Sequence, residues 1–218
     1  MKLDPREARA VLRQCDFAAL ATHSARLPGF PFASHAPFAL DGACRPVLLL
    51  SNLAEHTRNV ALDARASLMA TAPGPDPQER ARITLVGEIR PAEPAPALAE
   101  RYLRYHPEAA TFLGFGDFRF YRLAVQRVRL IGGFARAGWI EAADWALRPL
   151  DEALEGALLA ALEGAVPAGW QLLGLDREGV DLRDGEGIRL RRGWDDSPAD
   201  EAALAALAHH AVACAGTP

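Results

Sequence analysis

The spacing of apolar and polar positions changes several times along the first 140 residues. Residues 4–15 have helical spacing, and Asp4 followed by Pro5 is a typical helix start. Alternating positions and short apolar runs then predict strands, with two more helices between them. The predicted strands are 17–22, 30–40, 45–50, 66–71, 82–89 and a hairpin or strand pair at 118–125 and 126–134. The two helices are predicted at 51–62 and from about 96 to 106.

Short strands with few helices among them are typical of a β-barrel or β-sandwich. The pattern differs after residue 147, where a helix, three short strands and a last helix follow. These elements are predicted at 150–165, 170–175, 180–183, 187–191 and from Pro198 onward, with Ser197 as the cap. We therefore predict an α+β protein with a barrel domain at 1–147 and a small α-β-β-β-α domain at 148–218.

Composition excludes several classes of protein. The net charge is −4 and the pI is about 5.9, which argues against a dedicated nucleic-acid binder. No apolar run approaches the ~20 residues of a membrane span, and the first residues do not resemble a signal peptide. The three cysteines follow no metal-binding spacing. They favour a reducing cytoplasm over a disulfide framework or a zinc site.

The junction between the third strand and the helix at 51–62 holds candidate chemistry. A helix N-terminus presents free N–H groups and a partial positive charge, which suit a phosphate. Ser51, Thr57 and Asn59 can hydrogen-bond to oxygen. Arg58 can bind an anion through its guanidinium group, and His56 can add charge when protonated. A solvated helix face with polar capping residues is the alternative interpretation.

Four further residues are candidates for ligand contacts. Arg122 flanks the last barrel strands and could face a phosphate or carboxylate, or simply be solvated. Gly133 follows another glycine in a predicted strand, which indicates a bulge or a close approach of the backbone to a ligand. His209 and His210 lie outside the apolar stripe of the last helix, so they are either an exposed pair or ligands of a haem iron.

The chain resembles a known family over nearly its whole length. The matching segments are 17–24, 28–42, 45–60, 65–69, 82–88, 120–123 and 131–140. Leu-Ala-Glu-His-Thr-Arg-Asn at 53–59 and the Gly-Gly-Phe to Trp segment at 132–139 are specific when taken together. These segments resemble the pyridoxamine 5'-phosphate oxidase-like FMN-binding split barrel, and more narrowly its HugZ-type haem-utilisation branch.

The resemblance implies an antiparallel split barrel that forms a homodimer with two cofactor sites at the interface. It implies that Ser51, His56, Thr57 and Arg58 hold a flavin phosphate. Flavin oxidases of this family carry a lysine in this helix, whereas Lys2 is the only lysine of this chain.

In the haem-utilisation branch a histidine near the C-terminus binds the iron, which implies a role for His209 or His210. The resulting hypothesis is a protein that binds haem or FMN and takes part in oxidative haem degradation. An FMN-dependent oxidoreductase of small molecules and a non-enzymatic cofactor-binding or regulatory protein are the alternatives.

Overall fold

A computed structural model describes residues 3–76, 79–132, 136–194 and 197–215. The helices are α1 Pro5–Arg13, α2 Glu55–Leu62, α3 Pro96–Tyr105, α4 Ala110–Leu113, α5 Ala142–Trp145, α6 Glu152–Leu162 and α7 Glu201–Ala213. The strands are β1 Phe17–His23, β2 Pro31–Pro37, β3 Ala39–Leu40, β4 Pro46–Ser51, β5 Arg65–Thr71, β6 Arg82–Pro91, β7 Phe118–Ile131, β8 Ala137–Glu141, β9 Gln171–Asp176, β10 Gly179–Arg183 and β11 Arg189–Gly193. Two 3-10 turns lie at Pro107–Ala109 and Glu163–Ala165.

The described residues form two compact units. The first contains 1–40, 44–94 and 108–146, and the second contains 41–43, 95–107 and 147–218. The longest segment of the second unit, 147–218, starts where the pattern of apolar and polar residues changes. The second unit also takes α3 and a short turn from the part of the chain that precedes residue 147.

The first unit is built on one antiparallel sheet of eight strands. The strand order is β2-β1-β5-β6-β7-β4-β3, and β8 pairs with β7. Alternation buries one side of these strands, as in β5, where Ala66, Leu68 and Ala70 point inward. The predicted α+β class is confirmed, with antiparallel pairing throughout the sheet.

One strand prediction is wrong for a physical reason. Residues 118–131 form a single 14-residue strand rather than a hairpin or a strand pair. Its buried positions are Tyr121 and Leu123 in the first half but Val128 and Leu130 in the second. The pairing with β6 shifts register between Val86 and Gly87, and the extra residue reverses which side of β7 faces inward.

Within the second unit, residues 148–218 follow the predicted α-β-β-β-α order, with strand order β11-β10-β9. Its last helix starts later than predicted, because the side chain of Asp200 accepts the N–H of Ala203 at 2.8 Å and acts as the cap instead of Ser197. In the described residues, no helix is long and apolar enough to cross a membrane.

A buried ion pair joins α3 to α6 within this unit. Arg101 and Glu155 are 2% and 1% exposed, and the guanidinium donates to the Glu155 carboxylate. The same carboxylate accepts the Leu175 N–H at 2.9 Å and a hydrogen bond from Arg104 at 3.2 Å. Because every charge here is paired and hydrogen-bonded, removing one partner is costly.

We predict that Glu155→Ala lowers the free energy of unfolding by about 3–5 kcal/mol, since it removes the carboxylate that pairs with the buried Arg101 charge. Urea unfolding measures this. The matched control is Glu141→Ala, which breaks an exposed pair with Arg127 and should change stability little. Equal losses in the two variants would contradict the prediction.

Candidate functional site

The N-terminus of α2 has no side-chain cap. β4 is buried up to Leu50 and leads into the helix through a short loop. The cap residue is Ala54, which has no side-chain hydrogen bond. The N–H groups of the first turn therefore have no intrahelical acceptor and no side-chain cap. This is the arrangement that favours an anion.

His56 is mainly uncharged at neutral pH. Its ring is half-buried, and burial lowers its pKa below the usual value. Nδ1 lies 3.0 Å from the hydroxyl of Ser34 on β2. The predicted role of His56 as an additional cation is therefore replaced by that of an uncharged hydrogen-bonding group.

Ser51 is already hydrogen-bonded on both sides. Its hydroxyl donates to the carboxylate of Asp117 at 2.5 Å and accepts the N–H of Leu53 at 3.1 Å. The backbone of Asp117 also accepts the N–H of Asn52 at 2.8 Å. A carboxylate thus lies beside the loop that leads into α2, and it opposes the approach of a multiply charged anion.

Thr57 and Asn59 lie on the packed side of α2. Asn59 is 0% exposed, accepts the N–H of Ala25 at 2.9 Å and donates to the hydroxyl of Thr22 at 2.9 Å. It anchors α2 to β1. The prediction that its amide binds a ligand is therefore wrong, because both ends of the amide are already hydrogen-bonded. Thr57 is 5% exposed, and its buried hydroxyl has no hydrogen-bond partner among the described residues.

The two predicted arginines lie on different elements. Arg58 is exposed on α2. Arg122 is half-buried on β7 and pairs with Val47. Val47 precedes Ser51 by four residues, or about 13 Å along β4. Gly133 lies outside the described residues.

The two histidines of α7 differ in their surroundings although both are exposed. His210 lines a groove of about 370 Å³ in the second unit, and His209 is not among its lining residues. The lining residues are Arg192, Gly193, Trp194, Leu207, His210, Ala211 and Cys214. Apolar walls with a few polar groups are typical of a site for a small molecule. Within the described ranges no cluster of three or more His, Cys, Asp or Glu side chains is placed to hold a bare metal ion.

Sequence reasoning missed Ser34 and Asp117. Each lies far in sequence from the residue that it contacts, so no local motif marks the contact. It also missed three phenylalanines near the β4–α2 loop. Phe112 stacks on Phe118 at 5.2 Å between ring centroids, and Phe115 lies at 6.2 Å from Phe112. The one available signal was their spacing of three residues.

We predict that Asn59→Ala destabilises the protein by about 1–3 kcal/mol, because it leaves buried donors and acceptors without partners. Arg58→Ala, one position away but exposed, should stay within about 0.5 kcal/mol of the parent. Thermal unfolding of both variants measures the difference. If the two variants unfold alike, Asn59 does not anchor α2.

Comparison with known proteins gives matches over different parts of the chain. The chloroplastic heme oxygenase HOZ of Arabidopsis thaliana is 35% identical over 135 residues, which are 60% of this chain and 41% of that protein. The chain therefore spans about two-fifths of the length of this curated relative.

Two solved structures match nearly from end to end. A heme binding protein from Mycobacterium smegmatis is 30% identical, covers 97% of this chain and 98% of its own, and has a TM-score of 0.62. The protein Atu2129 from Agrobacterium tumefaciens is 27% identical, covers 93% and 94%, and has a TM-score of 0.73.

The family model described as "CREG, beta-barrel" matches residues 1–146. This confirms the predicted resemblance to the split barrels related to pyridoxamine 5'-phosphate oxidase and the predicted fold class. The chain belongs to the CREG β-barrel family.

Proposed function

We propose that this protein binds haem and acts in haem utilisation, with a haem carboxylate held at the N-terminus of α2. The observation that carries the proposal is the balance of charge at that terminus. Free N–H groups and the uncharged His56 can donate hydrogen bonds, and Arg58 supplies one exposed positive charge. Glu55 in the first turn of α2 and Asp117 beside the loop add negative charges close by. This balance disfavours a phosphate dianion more than a singly charged carboxylate.

The relatives support a haem-related function. The Mycobacterium smegmatis protein that matches 97% of the chain is named a heme binding protein. The Arabidopsis relative is named a heme oxygenase, although the match covers only part of it. Bound haem would supply redox-active iron, and the protein would supply position and polarity. We extend the proposal to an activity, the oxidative degradation of haem.

FMN is the second candidate ligand, because an uncapped helix N-terminus also favours a phosphate. A flavin phosphate carries about −1.5 to −2 at neutral pH. The structure offers it fewer positive charges than expected, since His56 is neutral and Asp117 lies beside the loop. We therefore place haem first and an FMN-dependent oxidoreductase second.

Within the second unit, taken by itself, we propose His210 rather than His209 as the residue that would hold a haem iron. This proposal is separate from the one for the N-terminus of α2. A neutral imidazole is needed to bind the iron. His210 lies in a groove with apolar walls, whereas its neighbour lies outside it. The sequence alone could not separate two adjacent histidines.

The predicted homodimer remains a proposal. It is supported by the exposed apolar groups next to the β4–α2 loop. Leu53 and Phe115 are 70% and 63% exposed, and Phe112 and Phe118 extend the same cluster. Apolar surface of this kind marks interaction sites.

We predict that hemin added to the parent protein gives the Soret band of a histidine-bound haem. His210→Ala should lose that band or shift it, because the ligand to the iron is removed, and His209→Ala should leave it unchanged. Absorption titrations of the three proteins test this. A loss in His209→Ala with no change in His210→Ala would exclude His210.

We also predict that Arg58→Ala weakens hemin binding by about 1.5–3 kcal/mol, the range for a hydrogen bond to a charged group. Arg65→Ala is the matched control, since Arg65 is exposed and paired with Asp63 just beyond α2. Fluorescence quenching by hemin gives both affinities. Unchanged affinity in Arg58→Ala would remove this arginine from the site.

A further inference from the structure

The hydrogen bond between Ser34 and His56 joins the edge strand of the sheet to the first turn of α2. Ser34 lies on β2, and its hydroxyl is 3.0 Å from Nδ1 of His56. Both side chains are half-buried. Among the described residues, the structure gives neither side chain another hydrogen-bond partner. The pair is therefore a self-contained unit at the place where the helix N–H groups are free.

An uncharged imidazole carries one proton, and its position decides what the ring can bind. The positive end of a helix and partial burial both disfavour the charged ring, so His56 is neutral. With the proton on Nε2, Nδ1 accepts from Ser34, and the Nε2–H group remains able to donate. With the proton on Nδ1, the ring donates to the Ser34 hydroxyl, whose own proton then points to solvent, and Nε2 can only accept.

We propose that Ser34 is a positioning residue that holds His56 in its Nε2–H form, so that the uncharged ring donates a hydrogen bond to a carboxylate at the N-terminus of α2. The part that concerns the carboxylate rests on the proposed function. The part that concerns the proton on His56 is a property of the protein without ligand.

This arrangement bears on which anion the site accepts. A neutral donor stabilises an oxygen without adding a positive charge, as the backbone N–H groups of α2 also do. Uncharged hydrogen-bond donors of this kind can stabilise an anion that carries a single negative charge. A phosphate dianion beside Asp117 would need cations, and His56 held neutral does not provide one. The Ser34–His56 pair thus favours a carboxylate over a phosphate.

The proton position can be measured directly by NMR on protein labelled with ¹⁵N-histidine. Long-range ¹H–¹⁵N spectra distinguish the two neutral forms, and a His56→Gln variant identifies the His56 signals. We expect the Nε2–H form in the parent protein and in Ser34→Thr, which retains the hydroxyl. Ser34→Ala should give a mixture of the two neutral forms. Ser67→Ala, a half-buried serine of β5, is the control and should leave His56 unchanged.

The same variants are then titrated with hemin. Ser34→Ala should bind hemin about two- to tenfold more weakly, as expected for one impaired hydrogen bond, and Ser34→Thr should bind like the parent. A parent protein with the proton on Nδ1, or a Ser34→Ala variant with an unchanged proton position, overturns the role of Ser34. A shifted proton position with unchanged hemin affinity overturns the carboxylate at α2 and leaves the role of Ser34 standing.

Discussion

The candidate site depends on the buried amide of Asn59. This side chain joins α2 to the hydroxyl of Thr22 in β1 and to the N–H of Ala25 in the loop after it. A fully buried amide with both ends bonded fixes the helix in rotation as well as in position. The first turn of α2 can then keep its N–H groups free, because the helix does not rely on a cap for its placement. His56 and Arg58 take their positions from the same anchor.

The second unit is stabilised in a different way, by charges placed inside it. Arg191 donates to Asp176 at 2.6 Å and to Asp181 at 2.9 Å, and Tyr105 donates to Asp181 at 2.7 Å. Burial, followed by the charge of Asp181, raises the pKa of the Tyr105 hydroxyl, so it remains a donor. Arginine rather than lysine suits this position, because its planar guanidinium can donate to two carboxylates at once.

Much of the fold follows from the sequence, because period and turn residues are local. Most strands of the sheet and the α-β-β-β-α order of residues 148–218 were predicted from such patterns, whereas β8 was not. The single strand Phe118–Ile131 was not, since a register shift opposite Gly87 imitates a break between two strands. α7 begins at Glu201 rather than at the predicted Pro198, because Asp200 and not Ser197 is the cap residue.

The site was predicted only in part. The family resemblance singled out the α2 segment, yet which of its polar groups face inward depends on how the helix packs. Asn59 was therefore assigned to a ligand although it is an anchor. Ser34 lies on β2 and Asp117 lies just before β7, so sequence spacing carried no sign of their contacts with the segment.

The central claim is that the N-terminus of α2 accepts a singly charged carboxylate, as found on haem, in preference to a flavin phosphate. The most direct test is to measure the dissociation constants of hemin and FMN for the same preparation at the same salt concentration. The account predicts that hemin binds at least about tenfold more tightly, or ~1.4 kcal/mol. FMN binding as tightly as hemin, or more tightly, would contradict it.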